Sequence, residues 1–197
     1  MRRGGVRWLT FVVAAAGLLA SAASIGPASA QTADEVAASA WATAASASAP
    51  GLAMADFEGR RIDLSTNWEQ AKACLVLRRA GKIECFRTAK EADTKAATLS
   101  SQFAAAGYSC SSPLRLFEHS SYGGRQLLFF DRGYWQNLGD YGFNDQLSSY
   151  IIGACYTYLA EHSYGGGAFY PGPTYAWAGV SWMISSWNDR VSSIYMA

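Results

Sequence analysis

Two short oxygen-rich turns are where this sequence could do chemistry: Asn144-Asp145-Gln146-Leu147-Ser148-Ser149 and Asn188-Asp189-Arg190-Val191-Ser192-Ser193. Carboxylate, amide and hydroxyl oxygens are hard donors, which suit Ca²⁺ and offer little to zinc or copper. The same residue types also make Asx- and ST-type turns with their own backbone, and a single copy would carry no more than that. Here the pattern occurs twice, each time after a Glu-His hairpin: Glu118-His-Ser-Ser-Tyr-Gly-Gly124 and Glu161-His-Ser-Tyr-Gly-Gly-Gly167. The glutamates lie 43 residues apart and the Asn-Asp pairs 44 apart, so the C-terminal part duplicates a unit of about 43 residues. Two such turns can face each other across a pseudo-twofold axis and share ligands.

Catalytic constellations are sparse by comparison. His119 and His162 are the two histidines, and they occupy matching hairpin positions, which in a duplicated fold need not be close in space. No His-x-x-x-His or Glu-x-x-His spacing supports a zinc or general-base site. No Gly-x-Ser-x-Gly elbow is present, and Gly165 to Gly167 lacks the Lys and helix of a phosphate-binding loop. A glycosidase needs only two carboxylates, so a secreted hydrolase stands as a third reading without a motif behind it.

The elements that position the turns read in two blocks. Between residues 54 and 107, alternating CLVLRR and KIECFR segments form a hairpin, and Thr66-x-x-Glu69 and Thr88-x-x-Glu91 read as capping boxes that open helices. After the second box, Ala92, Ala96, Leu99 and Phe103 fall on one helical face and Gly107 supplies a stop. This block is expected to be a small α+β subdomain. From residue 108 the character changes: residues 111–197 contain no Lys and hold 19 of the 27 aromatic residues, with short apolar runs punctuated by Gly, Pro, Asn and Asp. That is the pattern of an all-β domain with closely spaced turns.

Phe117-x-x-x-x-Tyr122-x-Gly124 followed by Asn-Asp-x-x-Ser-Ser resembles the βγ-crystallin Greek key with its calcium clamp, in its secreted bacterial form. The resemblance covers residues 111–197 and implies a mostly β fold, two Greek key motifs over about 111–154 and 155–197 packed as a β-sandwich. It further implies two Ca²⁺ ions between the motifs. The matching ligands would be Asp145, the Gln146 carbonyl, Ser148 and the Glu118 carbonyl in the first clamp. In the second they would be Asp189, the Arg190 carbonyl, Ser192 and Glu161. The second hairpin departs from the pattern. Aligned on Glu161 its aromatic positions become Ala160 and Gly165; aligned on Tyr164 the first aromatic becomes Leu159 and the hairpin is one residue shorter. Bacterial members of this fold include metallopeptidase inhibitors, which makes an extracellular peptidase, or a cell-surface component, the expected partner of an alternative function. The region best suited to a partner is the Pro-stiffened loop carrying Phe169, Tyr170, Tyr175 and Trp177.

The chain around these blocks points to export. Arg2, Arg3 and Arg7 precede an apolar run from Trp8 to Leu19, and Pro27-Ala-Ser-Ala30 has the small-x-small form of a cleavage site, so residues 1–30 read as a signal peptide. Residues 31–53 read as an Ala/Ser-rich linker. The mature chain is thus expected to be extracellular, without a membrane span. Four cysteines fit that compartment. Cys74 and Cys85 fall opposite each other if the loop of their hairpin is Arg78 to Gly81, which leaves Cys110 with Cys155. The second bridge would close a loop of about 45 residues and add roughly 3–4 kcal/mol. The 197 residues carry 16 Lys and Arg against 15 Asp and Glu, and removal of the three leader arginines leaves the mature protein slightly acidic. With no basic cluster, nucleic acid is excluded as a partner held by charge.

Overall fold

Two β-sheets and one long helix organise residues 53–197, the part of the chain that the computed structural model describes. The expected signal peptide lies outside the described residues, as does the expected linker up to residue 52. Strands β1 (Met54–Phe57), β2 (Arg60–Asp63), β3 (Ala73–Leu77) and β4 (Lys82–Phe86) precede helix α1 (Ala89–Ala105). After it come β5 (Leu114–His119), β6 (Gly123–Phe129), β7 (Trp135–Asn137) and β8 (Ser149–Ile151), then β9 (Thr157–Ala160), β10 (Gly179–Val180) and β11 (Ser193–Met196).

The second capping box opens its helix. Thr88 Oγ1 accepts the Glu91 N–H and the Glu91 carboxylate accepts the Thr88 N–H. At the other end Gly107 adopts φ 79°, its N–H reaching Ala104 O and the Tyr108 N–H reaching Phe103 O. This is a Schellman stop, sealed by contact of the Phe103 and Tyr108 rings. Ala92 and Ala96 are fully buried on one face of α1 and pack, with Leu99 and Phe103, against Ala73, Leu75 and Leu128 of the large sheet and Phe130 just beyond β6. Two alanines at the contact let the helix lie close to the strands.

The first capping box does not open a helix, and that expectation is corrected. Asn67 Oδ1 accepts the Glu69 N–H at 2.7 Å, Asp63 Oδ1 accepts the Ser65 N–H, and Glu69 sits at φ 50°. Two Asx turns compete for the backbone donors that a helix would use, and β3 begins only four residues later.

The large sheet has eight strands in the order β10-β8-β5-β6-β3-β4-β1-β2, and the small one three in the order β7-β11-β9. β3 pairs in parallel with β6, from Ala73↔Gln126 to Val76↔Phe129, so the boundary drawn at residues 107/108 is a change of composition and not a break in the hydrogen bonding. Leu114, Leu116, Leu127, Phe129 and Tyr150 of the large sheet meet Leu159, Ile194 and Met196 of the small one in a core that also takes in Phe57, Leu64 and Trp68. Each fully buried large side chain of this kind contributes about 1.5–3 kcal/mol. Cys74 and Cys85 are paired across β3 and β4 and joined as a disulfide, and a second disulfide joins Cys110 to Cys155.

Candidate metal centre

The two oxygen-rich turns cross one another. Asp145 N–H donates to Val191 O and Asp189 N–H donates to Leu147 O, at 3.2 and 3.1 Å, which lays the turns antiparallel across a pseudo-twofold. Both aspartates take up the left-handed conformation, φ 52° and 55°, and both carboxylates accept a bond from the preceding asparagine amide. The crossing exchanges the aspartates. Ser148 Oγ lies 3.1 Å from Asp189 Oδ1 and 2.8 Å from Glu118 O, while Ser192 Oγ lies 3.0 Å from Asp145 Oδ1. The hydrogen bonds thus pair the aspartate of each unit with the serine of the other, across the grouping of Asp145 with Ser148 and Asp189 with Ser192 that the resemblance implies.

This donor set fits a hard cation. Ser148 has a single hydroxyl proton for two acceptors, so three oxygens converge with one hydrogen among them. Asp145 and Asp189 are exposed, which leaves a route from solvent. Among the described residues no group of three or more His, Cys, Asp or Glu side chains gathers, so each cluster here offers one carboxylate with hydroxyl and carbonyl oxygens.

A second pair of serines fixes the hairpins that bring the carbonyls in. Ser149 Oγ donates to His119 O at 2.6 Å and accepts the Tyr122 N–H at 3.1 Å; Ser193 Oγ donates to His162 O at 2.6 Å and accepts the Gly165 N–H at 3.0 Å. Tyr122 thus corresponds to Gly165, which decides the alignment in favour of Glu161. In the first hairpin Phe117 and Tyr122 meet edge to face. In the second that corner is lost, and Trp135 fills its place: a Cβ on Gly165 would come within 2.3 Å of the indole.

The strand exchange decides the architecture. β7 of the first unit lies in the small sheet beside β11, and β10 of the second unit lies in the large sheet beside β8, so each Greek key lends its third strand to the other. Residues 111–197 thus have a βγ-crystallin-like fold, two Greek keys packed as a β-sandwich. Solved structures that resemble it include a βγ-crystallin from Ciona intestinalis (23% identity, TM-score 0.37, covering 44% of this chain and 100% of that one). Another is a βγ-crystallin domain from Flavobacterium johnsoniae (26%, TM-score 0.34, 43% and 92%). A third is a clostrillin double mutant in complex with nickel (18%, TM-score 0.36, 43% and 97%). No family model and no curated protein matches the chain.

Around the two oxygen-rich turns, each hairpin glutamate is held by an arginine that comes from a different place. Arg125, on β6, binds the Glu118 carboxylate at 2.9 Å and also reaches the Gln146 side chain. Arg190, inside the second turn, binds Glu161. These ion-paired hydrogen bonds hold both carboxyls below the usual carboxylate range, with the Arg125 backbone N–H adding to the effect at Glu118 and the Ala168 N–H at Glu161. The Gln146 side chain is thus occupied by Arg125. His119 and His162 each lie over a glycine of their own hairpin, Gly124 and Gly167.

Of the expected partner loop, Phe169, Tyr175 and Trp177 are exposed (51%, 63% and 69%). Tyr170 is corrected: it is buried, with its ring against Tyr150 and Trp187. Sequence reasoning passed over exposed Trp182, Arg125, which reaches Glu118 and Gln146 7 and 21 residues away, and Trp68, whose indole bonds Tyr141 73 residues on. No local signal marks such contacts.

Proposed function

We propose that the chain is a secreted calcium-binding protein of βγ-crystallin type, acting as a binding or structural module and not as an enzyme. The observation that carries this reading is the pair of exchanged clusters, in which Ser148 with Asp189 and Glu118 O mirrors Ser192 with Asp145. With Ca²⁺ bound, the residues holding it would be Asp189, Ser148 and the Glu118 carbonyl in one site. Asp145 and Ser192 would hold the other, with the Gln146, Glu161 and Arg190 positions of the family pattern alongside. One carboxylate per cluster implies an affinity in the roughly micromolar to millimolar range. The leader pattern and two disulfides support export. Among the described residues no helix is long and apolar enough to cross a membrane.

Calorimetric titration of Ca²⁺ into residues 31–197, with thermal melting in chelator and in Ca²⁺, tests the reading. At a hundred times the dissociation constant each site should stabilise the fold by about 2.7 kcal/mol. Ser148→Arg and Ser192→Arg together should abolish both the heat and the shift. No heat and no shift at millimolar Ca²⁺ in the unmodified protein sinks it.

A second reading, a peptidase inhibitor of the same fold, is supported by the loop Phe169–Trp177, where Pro171 and Pro173 flank exposed aromatic side chains. Rigid aromatic anchors lose little entropy on binding. Stoichiometric inhibition of a secreted metallo- or serine peptidase, lost in Tyr175→Ala/Trp177→Ala, is the expected result; a panel in which no peptidase is slowed removes it.

A further inference from the structure

The segment between β2 and β3 packs directly on the chain that leads into the first turn. Leu64 O stands where a Cβ on Gly142 would come within 2.4 Å, and Gly142 itself has φ 59°. The Trp68 indole N–H donates to Tyr141 O at 2.7 Å, and its ring lies 6.2 Å from that of Phe143. The other side of this contact bears on Arg125, whose guanidinium lies 4.9 Å from the Trp68 ring centre and 5.8 Å from that of Phe143. From that seat it spans from the Glu118 carboxylate to the Gln146 side chain, joining the hairpin that supplies the Glu118 carbonyl to the turn that supplies Ser148. In the second unit the guanidinium comes from the turn itself: Arg190 binds Glu161 while lying over Trp187. Ala168 stands where the first unit has Arg125, and Arg190 is exposed.

Resting on the calcium reading above, we propose that Trp68 and Arg125 are positioning residues for the Ser148–Asp189–Glu118 cluster, so that the N-terminal strands brace one cation site and leave the other to Arg190 of its own turn. A guanidinium held on an aromatic face keeps its fork directed at carboxylate and amide together, which a freely rotating cation does not. The hairpin and the turn are then held at a set spacing before any cation arrives. Groups that orient metal ligands without touching the metal commonly change affinity by about 10–100-fold.

The test uses two single-site proteins: Ser192→Arg, which keeps the braced cluster, and Ser148→Arg, which keeps the other. Into each are placed Arg125→Lys, which conserves charge but removes the fork, Trp68→Phe, which conserves an aromatic face, and Trp68→Leu, which does not. Calcium affinity is read by calorimetry, and calcium-free melting and amide exchange at Leu147–Ser149 report the turn itself. In the braced background Arg125→Lys and Trp68→Leu should weaken Ca²⁺ roughly tenfold. Trp68→Phe should restore most of that loss, and exchange at the turn should rise in Arg125→Lys. In the other background affinity should stay within about twofold. Arg125→Lys keeps the charge at a half-buried position, and its calcium-free melting shows whether it is folded, so the proposal is decided even if Trp68→Leu does not fold. Equal affinity with and without the fork, or an equal fall at both clusters, overturns it. Absence of calcium heat in both single-site parents instead overturns the calcium reading, and this proposal with it.

Discussion

The two units of the duplication keep the same clamp on unequal scaffolds. The first has a seven-residue β6, an aromatic corner, a half-buried arginine seated on Trp68, and the N-terminal strands docked against it through Trp68, Arg78–Asp140 and the Arg79 N–H on Asp131. In the second the matching strand shrinks to one bridge, Ala160↔Phe169, the corner is empty of its own tyrosine, and the following loop is exposed. Yet the serine bonds that lock each hairpin agree to within 0.1 Å. The aromatic corner is therefore replaceable, here by Trp135 from the other unit, whereas the serine lock and the left-handed aspartate recur unchanged.

Substitutions in matched pairs probe this inequality. Trp68→Ala should cost about 3–5 kcal/mol, since it empties a buried site and strands Tyr141 O, while Trp182→Ala, exposed in the second unit, should stay within about 0.5 kcal/mol. Equal losses in chemical denaturation would break the distinction. Gly142→Ala forces a Cβ onto Leu64 O at a positive φ and should cost roughly 1–3 kcal/mol, against little for Ser186→Ala two residues before Asn188 in the second turn. Gly165→Ala meets Trp135 instead of backbone; because a ring can shift, its cost should fall toward the lower end of that range, with a change in Trp fluorescence.

The smallest effect is a pH dependence at the docked face. Burial raises the Asp131 carboxyl above the usual aspartate range, against the lowering influence of the Arg79 N–H and the Tyr134 hydroxyl. A carboxyl raised on folding contributes stability that is present below its ordinary pKa and lost as pH climbs through the folded value. Asp131→Asn lacks this loss. Its stability relative to the unmodified protein should therefore improve from acid pH to neutrality, and a flat difference would mean that Asp131 is not desolvated.

Much of this was legible in the chain because it is local or repeated. The paired turns 44 residues apart, the Thr88 box with its glycine stop, and the Cys74–Cys85 hairpin each show within a short window. The Thr66 box has the same letters as the Thr88 box and failed because Asp63 and Asn67 capture the donors first. What stayed hidden involves partners far apart in sequence. The parallel pairing of β3 with β6, the exchange of Asp145 and Asp189 between clusters, and the filling of Gly165 by Trp135 leave no periodicity behind them.

The exchanged aspartates also bear on how fast the fold comes apart. Each turn reaches its partner's serine only once both units are in place, and contacts spanning 41 and 47 residues are expected to form late in folding. Interactions absent from the transition state act on the unfolding rate and leave the folding rate almost untouched. Calcium held there would lengthen the lifetime of the native state more than it hastens its formation.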